Sequence, residues 1–474
     1  MINKSLFNTL VPEAAPYRRT DSDRPVTANL DFRRESGRLL KQRELIPGLQ
    51  VPSLVSSYDG RIDQILLSIP AWAVEDPAMK SGYLSLVAAL RPGTRFVVVH
   101  SEGTAEEVLA WFTDAGHSAH SVDLVALPSY VSFTVWAEDG YVALMDQADE
   151  STYLMEPWEF PRAGDALIAD AVSDSLPIRS QQAPLIFQGG NCLIGDTFWL
   201  LGRDYFADTL TVLRGQRPPV VQPESMSLPD FATQLYTDYV DRERRLILVG
   251  TTKEIPLRAL RGLRRGDQYF LDIATDGAGT YQPIFHIDMF ITILGTGADG
   301  TFEVMVGDPS LADDILGVQS PWALADVYDA VANDLAGEGF TVHRNPLVHW
   351  PTVTQTLSFG ELNRIAGLPN NEELVPAVRE LRQAGAADDT DVTVRTWHHI
   401  TWNNCLVENS EATGRHVYMP TFGYADKASL VAIDDRMGQI WGERGFEVHR
   451  LADFNAFAER QGVVHCIKKY LERT

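Results

Sequence analysis

The feature that most constrains the fold is a short internal repeat in the second half of the chain. The stretches LAGEGFTVHRNPL (335–347) and WGERGFEVHRLAD (441–453) share the pattern Gly-Phe-x-Val-His-Arg. Each copy follows a stretch with helical spacing, so the pattern predicts a helix that ends at glycine and a strand that begins with inward-facing Phe and Val. Two copies favour successive α/β modules over one doubly wound sheet, although helix–Gly–strand units also occur in other α/β folds.

Strand and helix patterns alternate earlier in the chain as well. FVVVH (96–100) is typical of a buried strand, and the next residues have the spacing of a helix that stops at Gly116. Residues 1–48 are polar and rich in Arg and Pro, and they are interpreted as an N-terminal extension. Residues 49–474 are predicted to form a single domain, because no low-complexity linker divides them.

The net charge of −24 limits the choice of partner. Such a surface repels phosphates and anionic lipids, so neither nucleic acid nor a membrane is expected, and a cationic partner is favoured. The first residues lack the apolar core of a signal peptide. The three cysteines form no CxxC pair, which argues against a disulfide framework or a thiolate zinc site and favours reduced thiols in a cytoplasmic protein.

Two short stretches place polar groups or glycines next to apolar strands. In VWAEDGYVAL, Glu138 and Asp139 stand where a strand meets glycine, which on its own is typical of a turn. In FQGGNCLIGD, Gly189 and Gly190 interrupt a predicted strand. Paired glycines allow another backbone or a ligand to approach closely, and packing against a strand is the simpler interpretation.

Two further stretches carry groups suited to catalysis. In IFHIDMFITILG, His286 and Asp288 alternate within a very apolar run, so a strand here would point both to one face, where they need polar partners. In VVHCIKKYL, near the end of the chain, His465 and Cys466 are neighbours in a predicted apolar strand. Cys466 is an inert core thiol unless it faces His286.

In this order, the motifs resemble the signature of the pentein superfamily of guanidine-modifying enzymes, which includes agmatine, arginine and peptidylarginine deiminases and amidinotransferases. The segments that carry the resemblance are Trp136-Ala-Glu-Asp139, Gly189-Gly190-Asn191, His286-Ile-Asp288 and His465-Cys466. WNNCLVEN and VYMPTFGYADKASL add similarity to agmatine deiminases. The resemblance covers residue 130 to the end of the sequence and extends plausibly back to residue 50.

The resemblance implies an α/β-propeller of about five ββαβ modules around a pseudo-fivefold axis, so that residues 49–474 form a pentein-like catalytic domain. It implies a nucleophile, Cys466, and a general acid–base, His286. Substrate binding is assigned by the resemblance to Asp139, Asp288, Trp136, Gly189, Gly190, Asn191 and Asn404. Loops at 202–208 and 397–404 are expected to lie at the mouth of a channel.

These residues suit hydrolysis of a guanidinium group. Two carboxylates accept the N–H fork of the cation, a thiolate attacks its carbon, and an imidazole moves protons, so no metal and no organic cofactor are expected. The predicted partner is a small cationic guanidino compound, arginine-like or agmatine-like, or an arginyl peptide. An amidinotransferase that passes the amidino group to an amine uses the same residues and remains the alternative. A non-catalytic binding protein with the same fold is the third hypothesis. The protein could also form a homo-oligomer, which the sequence leaves open.

One position departs from the pentein pattern. Gln188 stands before Gly189 where deiminases of small substrates usually carry an acid. A neutral amide cannot stabilise an imidazolium by charge, so His286 is expected to be less basic. Glu138 is a second candidate for the first acid, but the Trp-x-x-Asp spacing favours Asp139.

Overall fold

The computed structural model describes residues 49–474 except for residues 216–217, 253–258, 275–280, 319–323, 370 and 373. The predicted extension, residues 1–48, lies outside the described residues. Helices and strands alternate through the described chain, which confirms the predicted α/β class. Within the described residues, no helix is long and apolar enough to cross a membrane.

Strands and helices are numbered in chain order. The first part of the chain contains β1 (Pro52–Leu54), β2 (Ile62–Ile69), α1 (Ala71–Glu75), α2 (Pro77–Ala89), β3 (Arg95–Ser101), α3 (Ala105–Asp114), β4 (Val122–Leu127), β5 (Val142–Asp146), β6 (Ser151–Glu156), α4 (Ile168–Ser175) and β7 (Arg179–Gln182). The middle part contains β8 (Cys192–Ile194), β9 (Phe198–Gly202), α5 (Arg203–Leu213), α6 (Leu228–Tyr239), β10 (Arg245–Val249), β11 (Ala259–Arg265), β12 (Gln268–Ala274), β13 (Ile291–Thr296) and β14 (Phe302–Asp308). The last part contains α7 (Pro309–Leu316), α8 (Ala325–Gly337), β15 (Thr341–Ser358), α9 (Phe359–Ala366), α10 (Leu374–Gln383), β16 (Asp391–Thr401), β17 (Leu406–Ser410), β18 (Gly414–Thr421), α11 (Val431–Glu443), β19 (Glu447–Asp453), α12 (Asn455–Ala458) and β20 (Lys468–Arg473).

A ββαβ unit recurs five times among the described residues. In each unit two antiparallel strands are followed by one or two helices and by a third strand parallel to the second. Four units are continuous in sequence, and their strands are β5-β6-β7, β8-β9-β10, β13-β14-β15 and β17-β18-β19. The fifth joins the two ends of the described chain, because β20 pairs antiparallel with β2, which pairs parallel with β3. The arrangement of these units around a pseudo-fivefold axis stays a prediction.

The repeat seen in the sequence occupies equivalent places in two neighbouring units. Gly339 and Gly445 have positive φ of 97° and 78° just after α8 and α11, a conformation that glycine adopts at low cost where a helix ends. The strands that follow have matching registers, since Val342 pairs with Val304 and Val448 pairs with Val417. The predicted helix–Gly–strand pattern is therefore confirmed in both copies.

Local sequence explains where the helices begin. The side chain of Asp76 accepts hydrogen bonds from the backbone amides of Ala78 and Met79 at the start of α2, and Pro77 occupies its first turn. Asp308 caps α7 in the same way, again followed by proline. The predicted strand and helix at 96–116 are found as β3 and α3.

An insertion distinguishes the third unit. Strand β15 continues well beyond its pairing with β14 and pairs antiparallel with β16, and β12 and β11 extend the same sheet. Helices α9 and α10 cover this extension and share a small apolar core with it. The main core lies between units, because it contains residues of β2, β13 and β18 together.

Candidate active site

The predicted site residues lie on five short turns or, for Trp136 and His286, just before one of them, and each turn shortly precedes the first strand of a ββαβ unit. The turns are 137–139 before β5, 189–191 before β8, 287–289 before β13, 402–405 before β17 and 464–467 before β20. The strand predictions for the segments His286-Ile-Asp288 and His465-Cys466 were therefore wrong, whereas Glu138 and Asp139 lie on a turn, which their place before glycine indicated. The chain tightens there through hydrogen bonds between residues three apart, such as Phe290 N–H to Ile287 O at 3.1 Å. On a turn, neighbouring residues can face the same space, which strand alternation forbids.

Cys466 is buried and is held by an asparagine from another unit. Asn404 Nδ2 donates to Cys466 Sγ at 3.1 Å, while Asn404 Oδ1 accepts from the backbone amides of His465 at 2.9 Å and Cys466 at 3.2 Å. One side chain thus fixes the turn and presents an N–H group to the sulfur. Such a donor stabilises a thiolate more than a thiol.

In a strand, His465 would point away from the cavity that Cys466 faces, but in the structure both side chains contact Asp288. His465 Nδ1–H donates to Asp288 Oδ2 at 2.8 Å, and Cys466 Sγ lies 3.7 Å from the same oxygen. The expectation assumed a strand, and the turn removes its basis. Asp288 is therefore held between the imidazole and the thiol.

His286 is buried and has a defined tautomer. Its Nε2–H donates to Gln188 Oε1 at 3.0 Å, and the hydroxyl of Tyr205 lies 3.3 Å from the same nitrogen. Nδ1 is then the basic nitrogen of the neutral ring, and it lies 3.7 Å from Asp139 Oδ1. Burial, with a contribution from the positive charge of Arg162, lowers the pKa of His286 to about 3. Gln188 orients the ring without adding the charge that an acid would supply. Its predicted effect on the basicity of His286 stays a prediction, because the lowered pKa arises from burial and from Arg162.

Gly190 lies where His286 and both acids meet. A Cβ atom at this position would be 2.5 Å from His286 Nδ1 and 3.2 Å from both Asp139 Oδ1 and Asp288 Oδ2. Three groups from two segments, one before β5 and one before β13, thus surround one point that only glycine leaves open. The resemblance assigned these residues to one site, and their roles in binding and catalysis stay predictions.

Asp139 has a partner that the sequence did not reveal. Arg162 Nη2 donates to Asp139 Oδ2 at 2.9 Å, and Arg162 Nε lies 2.6 Å from Asp165 Oδ2. All three side chains are buried. Asp139 therefore binds an internal guanidinium through one oxygen and faces His286 with the other.

Glu138 is occupied by two lysines of the last strand. Lys468 Nζ and Lys469 Nζ donate to its two oxygens at 2.8 Å and 2.7 Å. Burial lowers the pKa of Lys468 to about 8. This pairing supports Asp139 rather than Glu138 as the acid that faces the site. Gly189 lies against this ion-pair cluster, since a Cβ at Gly189 would lie 2.3 Å from Lys469 Nζ.

Two of the predicted substrate-binding residues hold the scaffold. Asn191 Oδ1 accepts from the backbone amide of Ile287 at 3.0 Å and from Gln282 Nε2 at 2.9 Å, which fixes the turn that carries His286. Trp136 is buried against Gly462, where an added Cβ would lie 2.3 Å from its ring. Direct contact of either side chain with a substrate stays a prediction.

The two segments expected at a channel mouth are mostly regular structure. Residues 203–208 belong to α5, and residues 397–401 belong to β16. The loop prediction was wrong for these parts, because residues after Gly202 have helical spacing and β16 pairs with strands on both sides. Tyr205, whose hydroxyl contacts His286, lies in the first turn of α5.

The sequence missed Arg162, Tyr205, Lys468 and Lys469. The two lysines could have been noticed in the sequence, because they directly follow an apolar segment. Charged side chains that are buried at the start of a strand need partners of opposite charge. Arg162 carried none, since it lies 23 residues from Asp139 in sequence.

Comparisons with known proteins find similarity in structure and none in sequence. No protein-family model matches the chain, and a search of curated proteins finds no significant match. Solved structures do match. A structural-genomics protein provisionally described as an agmatine deiminase has a TM-score of 0.51 at 14% identity, over 88% of this chain and 95% of that one. The agmatine deiminase of C. jejuni has a TM-score of 0.51 at 9% identity, over 89% of this chain and 96% of that one.

The chain has the fold of agmatine deiminases. The resemblance predicted from four short motifs is therefore confirmed at the level of the fold. At such low identity the match speaks for the fold alone, and the activity has to be argued from the residues of the site.

Proposed function

We propose that the protein hydrolyses the guanidinium group of an arginine-like or agmatine-like compound and releases ammonia and a ureido product. The observation that carries this proposal is the meeting of His286, Asp139 and Asp288 around Gly190, with Cys466 Sγ 3.7 Å from Asp288. A buried thiol, imidazole and carboxylate pair beside a glycine suits a flat cation. The strongly negative net charge favours approach of such a substrate.

The substrate cation binds to the two carboxylates. Asp288 Oδ1 is buried and has no hydrogen-bond partner among the described residues, so it is the natural acceptor for one edge of the guanidinium. Asp139 Oδ1 faces the same point beside Gly190, and Arg162 holds its other oxygen in place. Paired N–H bonds to carboxylates fix both the plane and the charge of a guanidinium.

Substrate binding also activates the nucleophile. Burial, together with the negative charges of Asp288 and Asp139, raises the pKa of Cys466 well above its usual value. A bound guanidinium cancels those charges and therefore favours the thiolate. Without substrate the thiol and the imidazole are neutral, and His286 takes the thiol proton once the bound cation has stabilised the thiolate.

The reaction then has two steps. Cys466 Sγ bonds to the guanidinium carbon, a C–N bond breaks, and His286 gives its proton to the departing ammonia. A covalent thiouronium remains on Cys466. Water then attacks the same carbon, His286 takes the water proton, the C–S bond breaks and the ureido product leaves. One water is consumed and one ammonia is released, without an oxidant or a reductant.

The proposal also covers how the five ββαβ units are arranged. The five ββαβ units form the blades of a propeller around a pseudo-fivefold axis, and the five turns meet at its centre. Two observations support this arrangement: each turn precedes the first strand of its unit, and β20 pairs with β2 from the opposite end of the described chain. Residues 49–474 then form one catalytic domain.

The test is a panel of arginine, agmatine, N-acyl-arginine amides and arginyl peptides, assayed for ammonia and for ureido product with and without an amine acceptor. The proposal predicts equal amounts of ammonia and ureido product from at least one compound, whether or not the amine is present. Consumption that depends on the amine and yields an amidinated acceptor would instead identify a transferase. If no compound in the panel yields ureido product, the proposal is wrong.

A further inference from the structure

A second cluster of chemically active side chains lies on the β18–β19 pair of the fourth continuous unit. His416 is the register partner of Glu447, and His449 follows two residues later on the same face of the sheet. His416 Nδ1 lies 3.1 Å from His449 Nε2 and 3.5 Å from a carboxylate oxygen of Glu447. His449 Nε2 lies 3.8 Å from the other oxygen. His449 belongs to the sequence repeat, and the proposed hydrolysis does not use it.

These separations match the edges of a tetrahedral zinc site. Bonds from zinc to imidazole nitrogen and carboxylate oxygen are about 2.0–2.2 Å long, which at tetrahedral angles separates two ligand atoms by about 3.3–3.5 Å. The two nitrogens are 3.1 Å apart, and they lie 3.5 Å and 3.8 Å from the two different oxygens of Glu447, which brackets that value. With one ligand atom from each residue, the atoms lie within 4.8 Å of one another, so side-chain rotations would bring them onto one ion.

The surroundings suit metal binding as well as the distances do. His416 Nε2–H donates to the backbone carbonyl of Thr413 at 2.7 Å, which leaves Nδ1 with the lone pair that a metal requires. A ligating histidine is commonly oriented by such a bond. The ring of His449 stacks on Tyr418 with centroids 4.8 Å apart and an interplanar angle of 16°, so its direction is fixed. The side chain of Glu447 is 68% exposed, which leaves a path from solvent.

The neighbouring unit provides an internal comparison. The registers of β14–β15 and β18–β19 make Glu303, Thr341 and His343 the counterparts of His416, Glu447 and His449. In the counterpart cluster, His343 Nε2 lies 3.5 Å from Glu303, and threonine supplies no strong ligand. The same scaffold thus carries two ligands in one unit and three in the next.

From these contacts we infer that His416, Glu447 and His449 bind a divalent transition metal of the zinc class, with water as the fourth ligand. Two imidazoles and one carboxylate favour zinc, copper or nickel over magnesium or calcium. The site is separate from the cysteine, histidine and carboxylates of the candidate active site, and the inference does not rest on the proposed hydrolysis.

The test is zinc titration of the full chain by calorimetry, in the Cys466→Ala background so that the thiol adds no ligand. One zinc ion per chain is expected. His416→Asn, His449→Asn and Glu447→Gln, each added to that background, should weaken binding by at least about tenfold, because each removes a direct ligand. His343→Asn is the matched control and should leave the affinity unchanged.

A melting experiment shows whether the variants stay folded. Zinc should raise the melting temperature of the Cys466→Ala protein and of the His343→Asn control, since a ligand that binds the native state stabilises it. It should have no effect on the melting of the His416→Asn protein. Glu447→Gln changes an exposed side chain, so loss of binding in that variant is not a folding defect. Absence of zinc binding, or binding that the three ligand variants leave unchanged, would overturn the inference.

Discussion

Replacement of Gly190 by alanine isolates the geometry on which the proposed function depends. The new Cβ would lie 2.5 Å from His286 Nδ1, which is 0.9 Å inside the 3.4 Å limit of ordinary contact. Gly190 does not have a positive φ, so alanine adds no backbone strain, and the effect comes from the displaced imidazole. A misplacement of about 1 Å in a reacting group costs about 100-fold in rate, or about 2.7 kcal/mol of transition-state stabilisation.

The assay compares kcat/KM for ureido product formation between wild type and Gly190→Ala. The overpacking should also destabilise the fold by about 1–3 kcal/mol, so thermal melting is measured in parallel to confirm that the variant is folded. Gly337→Ala is the matched control, because a Cβ at that helix end meets nothing within 4 Å. A folded Gly190→Ala protein with wild-type kcat/KM would refute the idea that the space beside His286 holds the substrate.

Three further predictions concern the thiol and the carboxylates. Cys466→Ala should abolish turnover with the fold intact, while Cys192→Ala and Cys405→Ala should keep turnover; wild-type rates from Cys466→Ala would exclude it as nucleophile. Asp139→Asn and Asp288→Asn should each cost at least about 2 kcal/mol in kcat/KM, because each removes a buried charged acceptor, and an unchanged value would remove that residue from the binding site. Alkylation of Cys466 by iodoacetamide in the empty protein should have its pH midpoint above the usual cysteine value of about 8.5. Asp288→Asn should move that midpoint to lower pH, since it removes a negative charge 3.7 Å from Sγ, and a shift in the other direction would contradict this account.

The sequence predicted the composition of the candidate site better than its local structure. His286, Asp139 and Asp288 meet at Gly190 as expected, because a motif order shared with a fold family carries three-dimensional information that periodicity does not. Alternation of polar and apolar residues predicted strands at His286 and Cys466, whereas Cys466 lies on a turn and His286 lies just before one. A turn of three or four apolar residues leaves no pattern that distinguishes it from a strand.

The sequence did not predict which residues from distant segments contact each other in the candidate site. The bonds of Asn404 to Cys466 and of Arg162 to Asp139 join residues from different segments, and neither has a local signature. The repeat predicted the helix–Gly–strand units correctly, because a helix end with positive φ restricts the residue to glycine in both copies. It did not predict the long extension of β15 or the two helices between β15 and β16, because only one of the two copies is followed by them.

The most direct test of the central claim is mass spectrometry of the protein after acid quench during turnover of a guanidino substrate. The proposed mechanism predicts a covalent adduct equal to the substrate minus ammonia, located on the peptide that contains Cys466 and absent from the Cys466→Ala protein. Ureido product formed at the wild-type rate by Cys466→Ala, or an adduct located on another residue, would contradict it.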